Sequence, residues 1–248
     1  VTSVSPNNFP STLFCGEDGY LYLVTGSSNS RPILRIEPNA LKEVSRFGST
    51  SSGLSNSTLR FVATTWMGMV SAYGPSGRVD FILTGSLFDD VGLIRAAGLG
   101  YVWGAGQTAD ESRVRGAIGG AVGEGFGEGW VLGSGTGTSH TGLALYRIRV
   151  AAAAAYDSLS GLSLGVTFEK VASFAPSQIQ AGATAFYDDA GGLTYDATDD
   201  GVIFQVQISN GGSAGAIYTV KWRSDAGIVW KTPTPIQIHP RCSRTPCQ

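Results

Sequence analysis

Apolar residues recur along this chain with a period of two, in short runs broken by Gly, Pro, Asn, Asp and Ser. Such alternation buries one face of each segment and marks β-strands rather than helices. It predicts strands over Gly19–Val24, Ile33–Ile36, Leu41–Phe47, Phe61–Thr65, Met69–Tyr73, Arg78–Leu83 and Gly129–Leu132. Further strands are expected over Leu143–Val150, Val166–Phe174, Ala183–Tyr187, Val202–Ile208, Ala216–Trp222 and Ile228–Lys231. The turns between them are explicit: Glu17-Asp18, Glu37-Pro38-Asn39-Ala40, Gly74-Pro75-Ser76-Gly77 and Ser224-Asp225-Ala226-Gly227. Only two segments compete as helices. Thr108–Val122 has Thr108 as N-cap and Asp110 and Glu111 in its first turn, and Ala151–Ala155 is a short Ala run. Against the first stand Gly116, Gly119 and Gly120, each costing about 1 kcal/mol relative to Ala in a helix. The chain reads as all-β.

A weak internal repeat orders these strands. Leu34-Arg35-Ile36 followed by Val44–Gly48 echoes Tyr146-Arg147-Ile148 followed by Val171–Ala175. Leu21–Val24, Leu145–Ile148 and Ile217–Val220 share an apolar–Tyr–x–apolar pattern, and the hairpin Tyr218–Trp230 repeats the layout of Ile33–Phe47. Radially stacked blades of about 40–50 residues account for such repetition, whereas a closed sandwich does not need it. The expected architecture is a β-propeller or partial propeller of about five small antiparallel blades, with a β-sandwich as the alternative. One such domain covers residues 1–235, with a Gly-rich insertion at about 104–142 and a tail at 236–248.

Three pieces carry a family resemblance. Asp18-Gly19-Tyr20-Leu21-Tyr22 resembles the strand start of quinoprotein-type propeller blades, and Ile33–Leu41 resembles a hairpin common in extracellular propeller repeats. Asp225-Ala226-Gly227-Ile228-Val229-Trp230 resembles a degenerate Asp-box, the hairpin turn of sialidase-like propellers. Arg223 and Val229 stand where that motif has hydroxyl residues, so the resemblance implies a blade hairpin and no catalytic family.

Composition narrows the function classes. Of 248 residues, 15% are charged, against about 25% in ordinary soluble domains. The net charge of −2 lacks the basic footprint of a nucleic-acid binder. No run of about 18 apolar residues suggests a membrane-spanning helix. The sequence starts at Val1 without a basic-then-apolar leader, which fits a removed leader or a segment of a longer protein. Three cysteines leave at least one thiol unpaired within the chain. Cys242 and Cys247 can close a small local loop, Cys15 can pair with either to tie front to back, or all three remain thiols. Asn56-Ser57-Thr58 fits a glycosylation acceptor. The expected setting is extracellular or on a virion surface.

Few residues carry candidate chemistry. The densest acidic stretch holds Asp188, Asp189, Asp196, Asp199 and Asp200. Asp196, Asp199 and Asp200 could offer oxygens to Ca²⁺, although the spacing is not that of an EF-hand and Asp-Gly steps are ordinary turn chemistry. Asp188, Asp189 and Asp200 are the acid/base candidates of a glycan hydrolase, alongside Glu169 and Asp89-Asp90. Gly211-Gly212-Ser213-Ala214-Gly215 has the letters of a nucleophile elbow, with His239 downstream. It lacks the following helix, so a hairpin turn is expected. Gly104–Ala109 matches a dinucleotide fingerprint without the surrounding βαβ alternation. His140 reads as a loop residue, and no zinc set is present. In the Gly-rich stretch, Phe126 and Trp130 are the candidate binding anchors, since aromatic residues are enriched at interaction hot spots.

These observations point to a non-enzymatic structural or binding β module of an extracellular or virion assembly, such as a phage tail, capsid or cell-surface component. Its expected partners are other protein chains, with glycan second, no nucleic acid and no cofactor. The alternative is a glycan-acting hydrolase or lectin on a propeller scaffold. A quinoprotein dehydrogenase is disfavoured because the blades lack regular tryptophan repeats.

Overall fold

The computed structural model describes residues 13–24, 33–47, 64–75, 77–86, 91–97, 100–105, 113–134, 139–151, 165–211 and 213–233. They form four antiparallel sheets, built almost entirely from consecutive strands. The first contains β1 (Leu13–Cys15), β2 (Leu21–Val24), β3 (Ile33–Glu37) and β4 (Lys42–Phe47). The second contains β5 (Thr64–Gly74), β6 (Gly77–Ser86), β7 (Val91–Arg95) and β8 (Gly100–Ala105). The third orders β9 (Arg113–Gly123), β10 (Phe126–Ser134), β12 (Leu143–Ala151) and β13 (Val166–Phe174). Between its strands, β11 (Ser139–His140) leaves to pair with the fourth sheet: β14 (Phe186–Asp196), β15 (Gly201–Asn210), β16 (Ser213–Arg223) and β17 (Gly227–Pro233). A single helical turn, α1 (Pro176–Ile179), links third to fourth.

Each sheet is a chain-contiguous meander, and each packs on the next. Tyr22 and Ile33 of the first sheet meet Ile82, Ile94 and Ala96 of the second. Val70, Phe81, Leu83 and Leu93 of the second meet Val131, Tyr146, Ile148 and Val150 of the third. Trp130, Leu132 and Leu145 of the third meet Phe204, Val206 and Trp222 of the fourth. Alternation along β6 sends Ile82 to one neighbour and Phe81 and Leu83 to the other, so the second sheet is buried on both faces. A sandwich would instead deal its strands between two facing sheets. The architecture is that of an all-β partial propeller, with four blades among the described residues.

The repeat read from sequence now has a physical meaning. Leu34–Ile36 with Val44–Phe47, Tyr146–Ile148 with Val171–Phe174, and Ile217–Val220 with Ile228–Trp230 occupy the third and fourth strands of three sheets. The expected turns are in place, with Gly77 (φ 105°) and Gly227 (φ 70°) supplying the left-handed residues that such turns require. Gly211 and Ser213–Gly215 lie at the β15–β16 hairpin, where strand follows strand.

The described part of the helix candidate Thr108–Val122, from Arg113, is strand β9, in keeping with the all-β reading. One expectation is corrected. The stretch 104–142 is not an insertion, because β9 and β10 are integral strands of the third sheet, and β10 is hydrogen-bonded on both sides. The reason is steric. A Cβ on Gly119 would stand 1.6 Å from the Met69 carbonyl oxygen, and one on Gly127 would stand 2.2 Å from that of Ser71. Glycine lets β5 of the second sheet approach β9 and β10 backbone to backbone, and the Gly125 amide donates to the Tyr73 carbonyl (2.5 Å). Of Ala151–Ala155, Ala151 ends β12 and the rest lies outside the described residues, as do Asp89-Asp90, Asn56–Thr58, Gly106–Ala109, His239, Cys242 and Cys247.

Candidate functional site

The acidic turn joining β14 to β15 gathers three of the candidate carboxylates. Asp196 ends β14, Asp199 and Asp200 form the turn, and Asp200 adopts φ 54° before Gly201. Strand β16 runs beside β15 and delivers a cation from 21 or more residues away in sequence. Lys221 Nζ lies 2.9 Å from Asp196 Oδ2 and 2.7 Å from Asp199 Oδ2. Arg223 follows on the same face, 4.0 Å from Asp199 and 2.6 Å from Asp225. The Tyr195 hydroxyl donates to Asp200 Oδ1 (2.7 Å).

The electrostatics follow from these contacts. Hydrogen bonds from Lys221 and from the Thr198 amide hold Asp196 down at about 2. Asp199 and Asp196 in turn push the Lys221 ammonium up. Burial raises the Tyr195 phenol, helped by its bond to Asp200 and the charges of Asp200, Glu128 and Asp196. For Ca²⁺, the position between two carboxylates is taken by an ammonium that the chain itself provides. Among the described residues no group of three or more His, Cys, Asp or Glu is placed to hold a metal.

The aromatic candidates lie on the other face of the fourth sheet, in its seam with the third. Phe126, Glu128 and Trp130 alternate along β10 towards the fourth sheet. Trp130 is 2% exposed and packs edge-on against Trp222 (centroids 5.9 Å apart), so its ring serves the core rather than an exposed surface. Phe126 is half-buried beneath the Arg149 guanidinium (5.0 Å), whose Nε binds the buried Glu128 carboxylate at 2.9 Å. Arg147 likewise pairs with Glu169. Asp188 and Asp189 fall within β14, where the register slips between Tyr187 and Gly192, and their side chains lie outside the described residues. Cys15 is exposed on β1. The structure thus unites Asp196, Asp199 and Asp200 with Lys221, and sets Phe126 beside Arg149. Sequence reading missed Lys221, because only the pairing of β15 with β16 brings it to the turn.

A second surface lies at the other end of the stack. Tyr22 and Ile33 face the second sheet, so alternation and pairing place Leu13, Cys15, Leu21, Leu23, Leu34 and Ile36 on the opposite face of the first. None of these six belongs to the three apolar clusters, and Leu13 is 58% exposed. The outer face of the fourth sheet differs: opposite its buried residues stand Thr194, Gln205, Gln207, Thr219 and Lys221, with Ile203, Ile217 and Trp230 among them.

No family model and no curated protein matches the chain. Among solved structures, it is similar to the β-propeller domain of Cps50 (Swd1) from Myceliophteria thermophila, at 14% identity and TM-score 0.46, covering 86% of this chain and 57% of that one. The chain therefore spans little more than half of that domain. Hydrazine synthase of Kuenenia stuttgartiensis is similar at 10% identity and TM-score 0.43, covering 95% and 68%. The WD40 repeats of RRP9 give 9% identity and TM-score 0.30, covering 93% and 84%. The fold assignment stands on the sheet order and seams described above.

Proposed function

We propose that this chain is a non-enzymatic structural or binding β module that engages other protein chains in an extracellular or virion assembly. The observation that supports this reading is the aliphatic outer face of the first sheet. Contiguous apolar surface of this kind marks interaction sites in soluble proteins. The corresponding faces of the second, third and fourth sheets are each covered by the preceding sheet. The extracellular or virion setting rests on the low charge and the Gly-rich, hairpin-dense sequence. The glycan-hydrolase alternative rests on Asp188, Asp189 and Asp200, of which Asp200 accepts a hydrogen bond from the Tyr195 hydroxyl.

Two measurements test the reading. The wild-type chain is expected to bind the apolar dye ANS, and Leu21→Glu with Leu34→Glu to lose most of that fluorescence at unchanged circular dichroism. Dye binding that is absent, or indifferent to the pair, rejects the interaction face. A panel of chromogenic glycosides is expected to show no turnover; hydrolysis that disappears in Asp200→Asn makes the chain an enzyme.

A further inference from the structure

Between the first and second sheets lies a set of charged groups that neither surface uses. Asp80, on β6, is 0% exposed. Its Oδ1 accepts from Ser71 Oγ (2.6 Å) and Arg78 Nε (2.7 Å), while the buried Oδ2 has no partner. Above it sits Glu17 from the β1–β2 turn, whose Oε2 accepts the Asp80 backbone N–H at 2.5 Å. Glu17 Oε1 lies 3.8 Å from Arg95 of β7. Among the described residues, the other charged or titratable neighbours are Asp18, Tyr22 and Arg35 from the first sheet and Tyr73 from β5. Asp18 is satisfied within the first sheet: Arg35 donates through Nε (3.0 Å) and Nη2 (2.7 Å), and the Tyr22 hydroxyl lies at 2.8 Å. That hydroxyl also reaches the Ala96 carbonyl (2.5 Å). Among the described residues, Tyr22 and Glu17 carry side-chain hydrogen bonds from the first sheet to the second.

Among the described residues the apolar part of this seam comprises Tyr22, Ile33, Ile82, Ile94 and Ala96, and the polar contacts act beside it. Closing the seam brings a second carboxylate over the buried, half-satisfied Asp80, a like-charge arrangement that low dielectric makes costly. A proton on Glu17 removes the repulsion and leaves its carbonyl oxygen free to accept the Asp80 amide.

We propose that Glu17 is a proton-sensitive latch of the seam between the first two sheets, holding more tightly when protonated and yielding when ionised over Asp80. Burial raises the Glu17 carboxyl, as do the charges of Asp80 and Asp18, against the opposing pull of the Asp80 amide and Arg95. The sign follows. A carboxyl raised in the closed state binds more protons there than in the open one, so closure is strongest below the open-state value of about 4.5. It weakens as pH rises through the closed-state value and is level above it. The first sheet, and the apolar face it carries, would then open more readily at neutral pH than in mild acid.

Amide hydrogen exchange on the full chain tests this, with rates corrected for intrinsic pH dependence and the β12 amides as internal reference. Relative protection of the β2 and β3 amides is expected to fall between pH 4.5 and about 7. Glu17→Gln, which keeps a neutral acceptor, is expected to hold the acid-form protection throughout. Wild-type protection that does not change relative to β12, or a pH dependence surviving intact in Glu17→Gln, overturns the proposal. Should the variant not fold, the wild-type comparison alone decides.

Discussion

Gly119 and Met69 meet so closely that a methyl group on the former would stand 1.6 Å from the carbonyl oxygen of the latter. This contact fixes how the second and third sheets can stack, because no side chain can separate β5 from β9 at that level. Gly119→Ala is expected to destabilise by about 2–3 kcal/mol, as overpacking does when the backbone must move. Gly192→Ala, whose Cβ would meet only Gln205 Oε1 at 3.7 Å, should change stability by less than about 1 kcal/mol. Urea denaturation of both variants checks the contrast; equal effects would mean the sheets stand further apart.

The acidic turn makes a pH prediction. Asp196 titrates at about 2 in the folded chain against 3.8 when free. Its stabilising contribution is therefore full above the free value and is lost as pH falls towards 2. Lys221→Met removes the cause. The urea midpoint of the wild type should fall between pH 4 and pH 2, and the variant should start lower at neutral pH but lose less over that interval. Parallel acid limbs would show that Lys221 does not hold this carboxylate.

The two aromatic residues of β10 should behave differently. Trp130→Ala leaves a cavity against Trp222 and is expected to cost about 3–5 kcal/mol. Phe126→Ala loses a partly exposed ring under Arg149 and should cost roughly 1 kcal/mol. Thermal melts of the two variants decide; similar losses would place Phe126 in the core as well.

Strands such as β15 were legible in the sequence because alternation has something to alternate, whereas the continuous apolar run of β7 has no such period and was not. Val202, Phe204, Val206 and Ile208 point one way along β15, and Gln205 and Gln207 the other. Strand β9 was not, because Gly116, Gly119, Gly120 and Gly123 erase its period while its polar start imitates a helix cap. Their reason for being glycine lies across space, in Met69, Leu193, Trp130 and Phe126. The acidic turn was legible as a cluster, but its neutralisation was not, since Lys221 reaches it only through the pairing of β15 with β16. For the same reason Trp130 reads as an anchor in sequence and as core in space.

The stacking of chain-contiguous sheets depends most on the join between β5 and the β9–β10 hairpin, where the Gly125 amide donates to the Tyr73 carbonyl. Nuclear Overhauser spectroscopy on the isotopically labelled chain observes this join directly. The account predicts a slowly exchanging Gly125 amide with cross-peaks to the α protons of Tyr73 or Gly74. A rapidly exchanging Gly125 amide, with no cross-peak to any residue of β5, would contradict it.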